Sequence, residues 1–322
     1  MINNIPSDVE LEFNKCPMGC DADDTHVFSG RDLLHDLPGE YAIVKCNSCQ
    51  LLRTSPRPTA GTIGYYYPKN YGPYEGTKIT KGVEQSSHHS FLKRLLRAIN
   101  GSNSNCLPDQ MPGRMLEVGC ASGSFMFEME KKGWETHGIE FSEDASANAR
   151  SFGLSVFTGT IETAPEPDHS YDLVVAWMVL EHLHDPVLAL QKLRSWTKTD
   201  GWLVVSVPNA SAWSFKFFKN NWYDLHMPNH LFHFTPNTIQ NILLESGWDM
   251  KKVIYQQNFS TIIASIGYML QNKGYMQRVA QSFVQFPSKG PRWGYRAVRP
   301  LAFIQSMLHQ SSRITVWARP RN

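Results

Sequence analysis

From Gly113 to Tyr255 the chain alternates, over short loops, between segments that suit a strand and segments that suit a helix. No other property of the sequence narrows its fold as far. Strands joined through helices run parallel, and a parallel sheet needs helices on both of its faces. "RMLEVGC" (114–120), "ETHGIEFS" (135–142) and "LSVFTG" (154–159) read as strands, with "SFMFEMEKKGW" (124–134) and "EDASANARSFG" (143–153) as the helices between them. "YDLVVAWMVLEHL" (171–183) holds a continuous apolar run, the mark of a strand buried on both faces. A helix over 186–201, a strand "WLVVSVPN" (202–209), a helix over 235–248 and a strand "DMKKVIYQ" (249–256) follow. Thr235 and Pro236 sit at the N-cap and first helical position of that last helix. The closing "RITVWARP" (313–320) predicts a seventh strand beside the sixth. The expectation is an α/β chain with a seven-stranded, mostly parallel, doubly wound sheet.

Three regions are expected. Residues 1–57 form a cysteine module, 58–112 a Tyr-rich connector and helix, and 113–322 the sheet domain, with a helical insertion over 257–312. The module carries Cys16 and Cys20 in "CPMGC" and Cys46 and Cys49 in "CNSC". Paired cysteines at this spacing suit four thiolates around structural Zn²⁺, which would staple a region with little core of its own. A redox pair and unrelated cysteines are the other readings. In the connector, the tyrosines 65, 66, 67, 71 and 74 suit either a lid over substrate or packing between modules. A short amphipathic helix is expected over 88–105.

The net charge of +2 conceals an asymmetry: all 29 acidic residues lie at or before Asp249, while 250–322 carries 11 Lys and Arg. Such a one-sign segment suits nucleic acid, anionic lipid or a phosphorylated substrate, or else simply a set of solvated basic faces. No apolar run is long enough to span a bilayer, and "MINNIPSDVELEF" lacks the character of a signal peptide, so a cytoplasmic protein is expected.

The chemistry gathers at "LEVGCASGSF" (116–125), where the first strand turns into the first helix. Gly119 and Gly123 allow a tight turn and a close backbone approach to a ligand, with Cys120 between them. Glu117 can face an amine or ammonium group, and Glu140 at the tip of the second strand, followed by Phe141, can accept the hydroxyls of a ribose. "GTIE" (159–162) offers backbone and apolar contacts to a purine.

E-x-G-x-x-x-G-x-F, the acid after strand two and "YDLVVAWMVLEHLHDP" after strand four together resemble the class I S-adenosylmethionine-dependent methyltransferases, over about 113–256 plus the last strand. The resemblance implies a Rossmann-like sheet and S-adenosylmethionine as cofactor. Glu117, Gly119 and Gly123 would lie around its methionine part, Glu140 on the ribose, and Thr160, Ile161 and Trp177 beside the adenine. The cysteine module and the late helical insertion extend the likeness to bacterial methyltransferases with an N-terminal zinc-binding domain. These include sugar C-methyltransferases and relatives associated with surface polysaccharides. There a Tyr-His-Glu-His run supplies acid and base; here it aligns on "MPNH" (227–230), so only His230 is kept, while a His after strand four matches His182. O-methylation, which needs one base near a hydroxyl, therefore fits better than C-methylation.

"LEHLHDP" (180–186) is also similar to quinone-biosynthesis O-methyltransferases, some of which hold a divalent ion with two Glu and a His. Glu181 and His182 fit, but Met178 replaces the earlier Glu, so no catalytic metal is expected. In "LHMPNHLFHFTP" (225–236) Pro228 and Pro236 make a continuous helix across His226, His230 and His233 untenable, which removes a metal face there. His230 is the preferred base, with His182 beside it; His233 is read as structural and His226 as a substrate contact.

The expected function is methylation of a sugar or other small-molecule hydroxyl in surface polysaccharide or secondary-metabolite biosynthesis, on a substrate that is free, phosphorylated or lipid-linked. The alternatives are a sugar C-methyltransferase, a ribosomal RNA methyltransferase and a non-catalytic cofactor-binding protein. Nucleic acid is disfavoured because residues 1–56 hold more acids than bases. The stretch 259–310 is read as a peripheral membrane contact, a dimer contact or packing on the core.

Overall fold

The computed structural model describes residues 4–68 and 106–321. Tyr71, Tyr74 and the helix expected over 88–105 lie outside them. The N-terminal strands are β1 (Leu11–Glu12), β2 (Asp24–Arg31), β3 (Glu40–Cys46), β4 (Leu52–Thr54) and β5 (Arg57–Pro58). β1 pairs with β5, and β2, β3 and β4 form an antiparallel meander whose inner face buries Tyr41 and Ile43. A turn of 3₁₀ helix, Ile63–Tyr66, follows.

The main sheet then begins with β6 (Arg114–Val118), α1 (Ser124–Glu130), β7 (Glu135–Glu140), α2 (Glu143–Ser151), β8 (Ser155–Thr158) and β9 (Tyr171–Trp177). It continues through α3 (Pro186–Trp196), β10 (Thr197–Pro208), α4 (Trp213–Phe218), β11 (Phe232–His233), α5 (Pro236–Glu245) and β12 (Trp248–Tyr255). Four helices, α6 (Ser260–Asn272), α7 (Gln277–Val284), α8 (Phe286–Lys289) and α9 (Arg292–Met307), precede β13 (Arg313–Pro320). The seven-stranded sheet has the order β12-β13-β10-β9-β6-β7-β8. All neighbours from β10 to β8 are parallel, and β13 runs antiparallel to both β10 and β12.

The central strands are covered on both faces, which is why β9 and β10 read as continuous apolar runs; Leu173, Val174, Val175, Val204 and Val205 are all buried. Local signals set the helix starts. Asp185 accepts from the Leu188 N–H at 2.9 Å ahead of Pro186, and Thr235 and Thr238 close a reciprocal cap ahead of α5.

Two elements depart from the sequence reading. The helix expected over 186–201 stops at Trp196, and Thr197–Gly201 open β10 instead. Here the Thr197 hydroxyl donates back to the Leu193 carbonyl at 2.7 Å, ending the helix in residues of poor helix propensity. The second departure concerns the histidine run. Phe232–His233 forms β11 and pairs with Arg53 and Leu52 of β4, extending the N-terminal sheet to four strands. Leu51, Phe232 and Phe234 thereby join Leu190 and Trp248 in one core.

The late insertion divides in two. α6 buries Ile262, Ala264 and Tyr268, so this helix packs on the core, while Tyr275 and Met276 just beyond it are exposed. Gly267 permits that packing, since a Cβ there would lie 2.7 Å from the Val284 nitrogen of α7. α9 is far more exposed.

Candidate functional site

The candidate site lies where the parallel strands end and their loops turn into helices. Gly119 and Gly123 take φ of +66° and +75° in the loop after β6. A Cβ at Gly119 would stand 2.6 Å from Val179 Cγ2, and one at Gly123 2.4 Å from Leu154 Cδ1, so both positions require glycine on two counts. Ala121 between them also has positive φ, +47°, a strain held by its surroundings.

Glu140, at the end of β7, provides that hold. Its Oε2 accepts the Ala121 N–H and its Oε1 the Ser142 N–H, each at 2.8 Å. Burial pushes this carboxyl up, while the Ser142, Ala121 and Phe141 amides pull it back. Two backbone bonds leave part of the carboxylate's accepting capacity for a ligand hydroxyl. Glu117 is enclosed, and burial drives its carboxyl well above the usual range, against the Met126 amide. Its Oε2 has no partner among the described residues. An enclosed carboxylate oxygen without a donor fits an ammonium or sulfonium-bearing ligand. Cys120 lies beside both acids; burial first, then their charges, keep its thiol protonated.

The expected adenine contacts divide. Trp177 packs edge-on against Phe125 at 5.3 Å between ring centres, its indole N–H enclosed without a partner among the described residues. The Thr160 N–H donates to Thr163 Oγ1 at 3.0 Å in a turn. Ile161 is buried in the main core with Val118 and Leu180. Phe141 is 62 % exposed beside Glu140.

The histidine run folds against the segment after β9. His182 is half-buried and His230 fully buried, with ring centres 4.6 Å apart. A carbonyl can only accept, so Nδ1 of His230 donates to the Asp224 carbonyl at 3.0 Å, while Nδ1 of His182 lies 3.0 Å from the Asn229 carbonyl. His230 therefore keeps its lone pair on Nε2. The Tyr67 hydroxyl lies 2.8 Å from His182 Nδ1. Burial lowers His182 to about 3 and His230 well below its ordinary value, so both rings are neutral near pH 7.

Behind them Glu181 is fully buried, with neither oxygen bonded among the described residues and Oε1 4.0 Å from His230 Nε2. Burial raises its carboxyl to about 8. One ligand atom from each of Glu181, His182 and His230 lies within 4.8 Å of the others, a span that a shared proton or a divalent cation could bridge. Asp224, whose carbonyl fixes His230, receives two bonds from Arg313 of β13, at 2.9 and 2.7 Å. His226 stacks on His230 at 4.8 Å, and His233 lies 3.5 Å from Thr54 Oγ1.

The four module cysteines converge. Their sulfurs lie within 4.8 Å of one another, with Cys16 and Cys49 at 3.4 Å, too far for a disulfide. Each pair ends in a tight turn, Gly19 N–H donating to the Cys16 carbonyl and Gln50 N–H to the Cys46 carbonyl, both at 3.0 Å. Four convergent thiols match the donor set of a structural zinc site.

Sequence reasoning did not single out Tyr67, Asp224, Asn229 or Arg313. Tyr67 was one of five tyrosines with nothing to separate it, and Asp224 meets Arg313 only through tertiary folding, 89 residues along the chain.

A family model described as a methyltransferase domain matches residues 89–253. The chain is similar to the ubiquinone biosynthesis O-methyltransferase of Vibrio cholerae, 29% identical over 111 residues, covering 32% of this chain and 45% of that protein. The same enzyme of Bordetella bronchiseptica is 31% identical over 111 residues, covering 32% and 46%. The chain thus spans less than half the length of these relatives. Among solved structures, an S-adenosylmethionine-dependent methyltransferase from Mesorhizobium loti aligns with a TM-score of 0.46 at 18% identity, covering 69% of this chain and 99% of that one.

Proposed function

The chain belongs to the methyltransferase-domain family, and on that premise we propose that it transfers a methyl group from S-adenosylmethionine to the hydroxyl of a small molecule. The observation that carries this reading is the pairing of Glu140, bonded to the strained Ala121 loop, with the enclosed Glu117, whose Oε2 has no partner among the described residues. Bound S-adenosylmethionine would supply a methyl group already activated on a sulfonium. Glu117 and the Gly119–Gly123 loop would hold its amino-acid part, with Cys120 lining the turn. Glu140 would hold the ribose, and Thr160, Ile161, Trp177 and Phe141 would surround the adenine.

The acceptor's proton falls to the histidine pair. His182, the half-buried ring, meets the acceptor and takes the proton on Nε2. His230 packs against it and, with the Asn229 and Asp224 carbonyls, fixes its orientation. Ionisation of Glu181 places a negative charge behind the pair and makes the imidazoles better bases. O-methylation suits a site with one positioned base, and it agrees with the names of the relatives above. Sugar and phenolic hydroxyls are the two acceptor classes to compare. The four cysteines hold structural zinc in the same reading.

Incubation of the full chain with methyl-labelled S-adenosylmethionine and a panel of sugar and phenolic hydroxyls should label one class. Glu140→Ala should weaken cofactor binding in calorimetry more than tenfold. His182→Ala should bind cofactor normally and lose at least a hundredfold in turnover. A wild-type chain that binds no S-adenosylmethionine would end the reading. Retained turnover in His182→Ala would remove that residue from the mechanism.

A further inference from the structure

We propose that the outer face of α9 seats the protein on the surface of an anionic lipid bilayer. The proposal stands apart from the methyl-transfer reading and rests on how this helix is oriented. Residues that face the protein from a surface helix are normally its large apolar ones. In α9 the assignment is inverted: the buried positions are Gly294, Ala302 and Gln305. The outward positions include Trp293 at 73 % exposure, Leu301 at 48 %, Ile304 at 52 %, Met307 at 67 % and, just past the helix, Leu308 at 66 %. At about 100° per residue these five fall within an arc of roughly 120°, a single continuous stripe. Arg292, Arg296 and Arg299 fall along one border of that stripe. Gly294, at the edge of the stripe, lets α9 pack closely on α8, where a Cβ would lie 2.9 Å from Phe286 Cε2.

Charge selects the occupant. Residues 250–322 carry 11 Lys and Arg and no Asp or Glu. A second copy docking face to face would set arginine against arginine, with no acid from this segment to pair them. A nucleic acid would engage the arginines and leave the Trp293–Leu308 stripe in water. An anionic bilayer meets both demands: headgroup phosphates take the guanidinium groups, and the acyl boundary takes the apolar side chains. Among the described residues no helix is long and apolar enough to cross a membrane, so the contact is interfacial.

The test is flotation of the full chain with phosphatidylcholine vesicles, with and without 30 % phosphatidylglycerol as an experimental condition (about one anionic lipid in three). The protein should float with the anionic vesicles, stay behind with the neutral ones, and detach as salt screens the arginines. Leu301→Glu with Ile304→Glu, both at exposed positions, should cut the bound fraction at least tenfold while leaving thermal unfolding and cofactor binding unchanged. Absence of flotation with anionic vesicles, or flotation undiminished in the double variant, overturns the proposal. A concentration-dependent dimer that the double variant abolishes would reassign the stripe to a second copy and overturn it as well.

Discussion

His226 and His233 show what burial does to individual groups in this chain. Free histidine takes up a proton near pH 6.5, whereas burial, with Arg313 adding to it at His226, lowers both to about 3. Between those values the unfolded chain binds more protons than the folded one, so stability falls as pH drops from about 6.5 toward 3. Glu181 acts in the opposite sense. Its carboxyl is raised to about 8 in the fold, so the folded chain holds the extra proton between about 4.5 and 8, and stability declines as pH rises through that window. The urea midpoint should therefore climb from pH 4 to about 6.5, where the several buried histidines outweigh Glu181, and decline beyond it. Glu181→Gln should flatten the alkaline arm, and His233→Asn the acid one. Turnover should follow Glu181 the other way, rising through about pH 8 as the carboxylate forms. A pH–rate profile unchanged in Glu181→Gln would exclude that role. Added Mg²⁺ should leave the rate unchanged where Glu181 and the histidines share a proton, and a rate that rises with Mg²⁺ would assign their 4.8 Å span to a cation.

At the scale of elements, the decisive join is β11 to β4. It was not legible in the sequence because a two-residue strand has no periodicity to read, and its partner lies about 180 residues earlier. The Thr54 hydroxyl donates to the His230 carbonyl at 2.8 Å inside this join. Thr54→Val leaves that buried carbonyl unsatisfied, which costs about 1–3 kcal/mol and should lower kcat while sparing cofactor affinity. A melting temperature and a kcat both equal to wild type would show that the loop is held elsewhere. By contrast, the long strands and the caps at Asp185 and Thr235 were readable, because buried parallel strands and helix starts have local causes. The over-long helix after Pro186 came from the same limit: propensity alone did not show where β10 would recruit Thr197 into the sheet.

For the whole molecule, the N-terminal residues join the rest of the fold at two places: Leu51 is buried in the main core with Met18 and Cys49 packed against it, and Tyr41, Ile43 and Leu52 share a second core with Phe215 and Ile262. Under the proposal that these cysteines hold zinc, its removal by a chelator should therefore weaken the entire fold. Metal analysis should find about one zinc per chain, and Cys46→Ser should lower the melting temperature and expose the histidine loop to proteolysis. A metal-free chain with unchanged melting would assign the four thiols no more than a packing role.

The sequence by itself determined the seven strands of the main sheet and the helices between the first six, the glycine loop with Glu117 and Glu140, and the four cysteines. All of these follow from spacing and from the conformations that glycine and buried strands permit. Only the tertiary structure decided which histidine is half-exposed and which is sealed behind it. It alone set Tyr67 against His182 and Arg313 against Asp224, and turned the apolar stripe of α9 outward. Burial and side-chain pairing over long separations depend on how the elements pack, and no local pattern encodes that.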